Sequence, residues 1–410
     1  MAHFLCDRTL QKWLNFKLSN TLYTMAVVMH LYNETGSTTL SATVTLISVI
    51  SRMISGILLP AISDRFKLSN LLIFSQLTQL VLLLGLLLLF LQELNPTILI
   101  LIFILLAFIS FFNGFFSPIK SSIVKTIVNE NLRVKANSLI ASVDQTFLFG
   151  GWTFGGLLLA LFGKQTILLI TFCLVLLSIV CLLFVKVNNT SNIKSQEGLI
   201  SRLTTGWKYL FQHKGLRIII IMDLMEAWVG TIWIGAVTLT FVKEALGKGE
   251  VWWGYINGGY YLGTILGGFM VYRLSKLMQG RLTVFMLTGS VIFGLLTFAY
   301  GFVTNPYLAL LLVLLMGPAY QIRDLAQETM FQNSTDEKTL TKILAAKSSL
   351  VQFIFIFSII GIGALTDLIG VRLVYILSGG LLIFSSIFGF VHLQLQRKGI
   401  YLETDKAKAL

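Results

Sequence analysis

Apolar runs of about 20 residues, separated by short polar breaks, fill the chain from end to end. A helix needs about 20 apolar residues to cross the hydrocarbon of a bilayer, so the pattern predicts twelve spans. In the first half they fall at 14–32, 39–61, 70–91, 97–118, 136–161 and 166–186. In the second half they fall at 216–242, 252–273, 282–303, 306–328, 343–366 and 372–393. The longest break, 187–214, is polar and basic and divides the chain nearly in half. The expected product is an all-α polytopic membrane protein with two pseudo-symmetric six-helix halves. The amino-terminal bundle covers 1–190, a linker 191–214, the carboxyl-terminal bundle 215–395 and a tail 396–410. No small-residue cleavage site follows a short apolar core near residue 1, which reads as a retained first helix.

Composition removes the soluble alternative. A soluble chain of 410 residues would make two or three domains, but hydrophobic residues reach 56% and charged residues only 12%, against about 25% charged in soluble domains. Five prolines exclude a disordered chain or a loop-rich extracellular scaffold. The net charge of +13 would point to nucleic acid on a soluble protein. Here its distribution matters more. With both termini cytoplasmic, and allowing a few residues of slack at each helix end, the inner side holds 26 of the 31 Lys and Arg; Lys164, Lys243, Lys248 and Arg372 lie outside and Arg52 within a span. Basic residues retained on the inner side set that orientation in a plasma membrane and account for the charge without nucleic acid. Cys6, Cys173 and Cys181 show no CxxC pairing and read as small buried thiols. Walker, HExxH and GxSxG sequences are absent, and the four histidines have no zinc spacing. The expectation is therefore no enzyme, no cofactor and no metal.

A faint repeat links the halves. At a constant offset of 207, Glu130 matches Glu337, Lys135 matches Lys342, Gly156 matches Gly363 and Gly163 matches Gly370. Two parallel six-helix repeats joined by a cytoplasmic linker are the architecture of one large transporter class.

The ionisable residues inside spans carry the candidate chemistry: Arg52, Asp144, Asp223, Glu226, Arg323 and Asp324. Each costs at least about 2.5–3.5 kcal/mol at the bilayer centre, so such groups normally face a cavity or a partner. Asp223 and Glu226 are three apart and share a helical face. Two carboxylates so placed disfavour each other's charge, and desolvation disfavours it further, as proton coupling requires. The competing reading is a structural salt bridge with Arg323 or Arg52, and for Asp144 both readings stay open. Asp324 directly follows Arg323, so one of the two must look elsewhere. Trp228 and Trp233 lie near the acidic pair, as cavity aromatics for a cationic or apolar ligand or as ordinary packing. Spacings of four put Gly151 and Gly155 on one face of span five, and Gly259 and Gly263 on one face of span eight. Such faces admit a neighbouring helix closely, either as static packing or as a sliding surface.

Several segments carry a family resemblance. They are Phe115-Phe116-Ser117-Pro118 with SSIVKTIVNENLRVKANSL after it, YNETGST after span one, and GWKYLFQHKGLR leading into span seven. The chain resembles the major facilitator superfamily and, within it, the drug-exporter branch that includes macrolide-efflux proteins. In PAISDRFKLSN, Asp64 and Arg65 match the superfamily's loop between spans two and three, while Pro60 and Lys67 replace its glycines. Gly151, Gly155 and Gly156 match the exporters' span-five motif, where Trp152 replaces a proline and Lys120 stands where a small residue is commoner. The resemblance implies that Asp64 and Arg65 belong to a latch and that spans two, five, eight and eleven line the interface between halves. It also implies alternating access, with proton entry driving efflux of a small amphiphilic, drug- or macrolide-like compound. The implied partners are the lipid bilayer, the small-molecule substrate and the proton, with the chain a monomer. An exporter of a native metabolite (siderophore, peptide or lipid) and a non-transporting membrane enzyme or accessory subunit remain as alternatives.

Overall fold

The computed structural model describes residues 38–63, 65–183, 199–233 and 235–408, together with residues 19, 20, 22–24, 26–28, 30, 31, 34 and 35. Side chains of 394–408 are outside that description, as are Asp64 and residues 184–198. The described residues between 19 and 35 are helical. After them come α1 (Thr38–Ser63), α2 (Leu68–Leu89), α3 (Pro96–Asn113), α4 (Phe116–Ile127) and α5 (Arg133–Leu183). Then follow α6 (Leu199–Gln212), α7 (Lys214–Val229), α8 (Gly235–Thr240), α9 (Glu250–Met278) and α10 (Leu282–Tyr300). The last are α11 (Pro306–Ser334), α12 (Glu337–Ile369) and α13 (Val371–Lys408). Among the described residues helix falls within each expected span, with a break in the seventh, and seven of these helices are long and apolar enough to cross a bilayer on those grounds alone.

Local chemistry sets many boundaries. The Asn95 side chain accepts from the Ile98 N–H at 2.9 Å with Pro96 in the first turn of α3. Asn305 repeats the device before Pro306, accepting from the Tyr307 N–H at 2.9 Å. An asparagine cap with proline behind it satisfies one orphan donor and removes another. Within α5 the backbone breaks at Gly163, φ 76°, separating the expected spans five and six. Gly370, its partner at the offset of 207, turns α12 into α13 with φ 82°. Only glycine takes that conformation freely, which explains two of the residues in the repeat.

The chain forms two compact units, one of residues 1–206 with 332–353, the other of 207–331 with 354–410. The boundary differs from the expected halves at 332–353, and the polar bonds of that segment show why. Gln332 and Asn137 exchange side-chain amide hydrogen bonds at 2.9 and 3.2 Å, and Gln332 also donates to the Ser121 hydroxyl at 3.1 Å. Thr341 donates to Ser122 at 2.7 Å and Ser349 to the Met53 carbonyl at 3.0 Å. A side chain on Gly56 would lie 2.7 Å from the Ala345 carbonyl oxygen.

The apolar core of the first unit joins Leu31, Leu83, Leu86, Phe90 and Ile102, with a second cluster around Leu59, Phe115, Ile119 and Ala345. That of the second unit centres on Phe241, Tyr300, Val313, Met316 and Tyr375. Leu88, Ile360 and Leu368 stay exposed, as lipid-facing residues of spanning helices do, because hydrocarbon tails solvate them. Cys173 is exposed in the same way and is not the buried thiol the sequence suggested; beside lipid, a small apolar thiol gains little from burial. The expected linker contains a helix, α6. Leu199, Leu203, Trp207 and Leu210 recur on one face, Leu210 is fully buried, and Gly206 seats directly against the Lys342 carbonyl.

Candidate functional site

The second unit holds the densest group of ionisable side chains. Asp223 and Glu226 face the same way from α7, as their spacing predicts, and Arg323 of α11 reaches both. Its Nη2 pairs with Asp223 Oδ1 and lies 2.7 Å from Glu226 Oε2. Gln327, one turn beyond Arg323, donates to Asp223 Oδ2 at 2.6 Å. The sequence reading missed Gln327, although its spacing of four from Arg323 was visible. The Asp223/Glu226 pair is therefore bridged by a cation, and the salt-bridge reading describes its geometry. Asp324 stands at the rim, with Oδ1 3.9 Å from Arg323 Nη1 and a side chain 43% exposed. Three carboxylates thus share one guanidinium.

Beside this group the spanning path of α7 is interrupted. After Val229 come a 3-10 turn over Gly230–Trp233, the short α8, and a π-helical turn over Phe241–Ala245. Irregular backbone inside a membrane persists only where other groups satisfy it, and here they do. The Ile232 carbonyl accepts from the Tyr375 hydroxyl at 2.7 Å and from Thr238 at 3.0 Å. The Trp228 carbonyl accepts from Ser358 at 2.5 Å. The break throws Trp233 into an aromatic cluster, parallel to Tyr260 with centroids 6.3 Å apart and 5.3 Å from the Tyr300 ring. Tyr320 joins Tyr260 at 6.4 Å, and the charges of Glu226 and Asp324 act on both phenols. Carboxylates and aromatic faces side by side suit a cationic or apolar group. The Trp233 indole N–H and the Tyr300 hydroxyl are buried without a hydrogen-bond partner. Trp228 differs: its ring is largely exposed and lies over Gly361, about one van der Waals contact away.

In the first unit Asp144 of α5 pairs with Lys120 of α4 at 2.9 Å, with side chains 11% and 17% exposed. The unusual lysine and the buried acid thus explain each other. Arg52 of α1 has no carboxylate partner among the described residues; its Nε donates to the Ser48 carbonyl at 3.2 Å. Expected pairing of Arg52 with an acid is therefore not observed. Arg65 is exposed in the turn after α1, and Asp64 lies outside the described residues. Gly151 is buried in α5, and Gly155 lies four residues on in the same helix.

The span-eight glycines have a definite neighbour. A Cβ on Gly259 would come 2.7 Å from Leu310 Cδ1, and one on Gly263 would overlap the Leu314 carbonyl. Both contacts are to α11 within the same unit. These contacts match the close-packing alternative: absent side chains let two helix backbones meet where lipid offers no hydrophobic drive.

A bundle of spanning helices, with one span broken at mid-course beside buried acids, defines a membrane transport protein. The sequence model of the Major Facilitator Superfamily matches residues 16–320, and the chain belongs to that family. It is 51% identical over 383 residues to YfmI of Bacillus subtilis strain 168, named as an uncharacterised MFS-type transporter, covering 93% of this chain and 94% of that one. A second such transporter of the same organism, YjbB, is 32% identical over 67% of each chain. Among solved structures, a bacterial homologue of the iron transporter ferroportin in an outward-facing state matches with TM-score 0.75 at 14% identity, covering 94% of this chain and 98% of that one. The fucose:proton symporter of E. coli matches with TM-score 0.69 at 12% identity, over 93% and 99%. These two likenesses concern the fold.

Proposed function

We propose that this transporter is a monomeric, proton-coupled exporter of a small amphiphilic compound, working by alternating access in the plasma membrane with both termini cytoplasmic. The observation that carries the reading is the acid group itself: Asp223, Glu226 and Asp324 all approach one guanidinium, that of Arg323. In a low-dielectric span an excess of negative charge is costly, and a bound proton or a cationic substrate removes it. Asp223 and Glu226 are held by direct bonds to Arg323, whereas Asp324 has only a long contact and is the most open to water. We assign proton exchange to Asp324, with Asp223 and Glu226 holding Arg323 in register. Trp233, Tyr260 and Tyr320 supply the wall against which an apolar or cationic body rests.

A proton or ligand shifts a conformational equilibrium only through unequal binding to its two states, and neutralising Asp324 in one of them is such an inequality. The motion would rock residues 1–190 against 210–395, with the Asn137–Gln332 amide exchange opening in each cycle. Uncharged hydrogen bonds of this kind contribute about 0.5–1.5 kcal/mol each net, which suits a contact that breaks repeatedly.

The test is a substrate panel of macrolides and cationic dyes in proteoliposomes with an imposed pH gradient, empty vesicles serving as control. Asp324→Asn should abolish gradient-driven transport and leave folding intact, since Arg323 keeps both other partners. Full proton-driven transport by Asp324→Asn would remove that residue from the mechanism. Absence of drug transport together with one secreted metabolite missing from a deletion strain would instead assign the protein to export of that metabolite.

A further inference from the structure

Arg52 sits 14 residues from the start of α1 and 11 from its end, about 21 and 16 Å at 1.5 Å per residue. A cation at that depth ordinarily meets a counter-charge. Among the described residues no carboxylate pairs with it, and α1, α3 and α4 contain no Asp or Glu. The one acid deep within the described spans of this unit, Asp144, is taken by Lys120. Among the described residues Arg52 spends only its Nε on protein, in the bond to Ser48, and its two terminal amino groups have no acceptor there. They are also not sealed off from solvent, for the side chain is half-buried.

The surroundings supply a second donor. The ionisable group that bears on the guanidinium is the Tyr23 phenol, which is almost wholly buried. Tyr23 Oη accepts from Asn113 Nδ2 at 3.3 Å, and Asn113 is itself anchored on Asn20 Oδ1 at 2.6 Å. With its lone pair so engaged, the phenolic proton has no acceptor among the described residues. The helices that carry these groups are locked together on either side of Arg52. Ser110 donates to Ser48 at 3.0 Å one turn before it, and Gly114 packs against Ser55 one turn after. A fixed guanidinium with a free planar edge, beside a free hydroxyl, matches the geometry of a carboxylate, sulfonate or phosphate.

We propose that Arg52 and Tyr23 form an oxyanion subsite in the first unit that takes the acidic group of an amphiphilic substrate, so that the cargo carries a negatively charged group beside its apolar or cationic body. The proposal deepens the transport reading and rests on it for the role of the bound anion, but binding is measured without transport. The probe is tritiated 2-naphthoate, bound to the purified full-length protein in neutral-lipid nanodiscs. Its uncharged isostere 2-naphthamide is the reference, and sodium phosphate is the competitor that distinguishes a free inorganic ion from an amphiphile.

Wild-type protein should bind the naphthoate at least about tenfold more tightly than the amide, the worth of one charge-assisted bond. Arg52→Gln should erase the preference while leaving amide binding unchanged, Arg52→Lys should retain part of it, and Tyr23→Phe should lower it several-fold. Equal binding of naphthoate and naphthamide by the wild type would overturn the proposal, and so would a preference surviving in Arg52→Gln. Displacement of the naphthoate by equimolar phosphate would reassign the site to a free inorganic anion and overturn the amphiphile. If Arg52→Gln fails to fold, the wild-type comparison and Tyr23→Phe still decide. A null result here leaves proton-driven transport by the Asp324 route untouched, since that assay uses other substrates and another unit.

Discussion

Replacing Lys120 by Met strands the Asp144 carboxylate among α4 and α5. The pair lies at 2.9 Å with 17% and 11% of its side chains exposed, so little water is available to take the place of the ammonium. Removing one partner of a buried pair costs about 3–5 kcal/mol, and the residual exposure places Lys120→Met near the lower end, about 3 kcal/mol. Asp144→Asn, which removes the carboxylate from the ammonium, should also destabilise the protein. The double variant Lys120→Met with Asp144→Asn leaves no charge behind and should recover most of the loss, because a buried ion pair itself is close to neutral in net stability. The assay is unfolding of the purified protein in mixed detergent and dodecyl sulfate micelles, followed by tryptophan fluorescence, with pH-gradient transport measured alongside. Single variants within about 0.5 kcal/mol of wild type, the range of surface substitutions, would refute the reasoning. A folded double variant with no gradient-driven transport would make Asp144 a proton-handling group after all.

Gly263→Ala should destabilise the protein by about 1–3 kcal/mol, since the added methyl meets the Leu314 carbonyl of α11. Gly254→Ala on the same helix, with nothing within 4 Å, is the control and should change little in the same unfolding assay. Asp336, between α11 and α12, accepts from the Thr339 N–H at 3.1 Å and caps α12. Burial pushes its carboxyl up, but bonds from Thr339 and Thr335 outweigh that and hold it below its ordinary value. The stabilisation is therefore present at neutral pH and is lost as pH falls through the depressed folded-state value. Asp336→Ala should cost about 1 kcal/mol at pH 7, and the gap from wild type should close in acid; a gap unchanged at pH 3 would contradict the assignment.

The helices were legible because span length and apolar content are properties of the chain alone. The Gly163–Gly370 match was legible for a related reason: a positive φ restricts the residue type, so the same turn leaves the same letter twice. Partners were legible only as alternatives. The sequence offered Arg323 or Arg52 for the acids without choosing between them, and it did not offer Lys120 for Asp144; which faces of separate helices meet decides this, and spacing within one helix does not encode it. The α6 helix was overlooked because its apolar face is short, and the polar residues between its members, such as Ser201 and Lys208, keep the run from reading as a span. The span-eight glycines announced close packing, but a stripe of small residues does not name the neighbour, which is α11.

Charge inside the two units is unequal in a way that packing does not require. Among the described interior groups, Lys120 and Asp144 cancel in the first unit and leave Arg52 over. In the second, one guanidinium stands against three carboxylates. A chain that moved only neutral lipophiles would gain stability by replacing either surplus with an apolar residue, since each charge in a span carries a cost of several kcal/mol. Retaining both is reasonable if each is neutralised during the cycle by something that arrives and leaves. On the proposed reading, a proton on Asp324 would serve the second unit and an oxyanion at Arg52 the first. The two titrations are separable, for lowering pH should relieve the acidic surplus without supplying an anion to Arg52. Proton loading and cargo loading would then be distinct events that share one structural change.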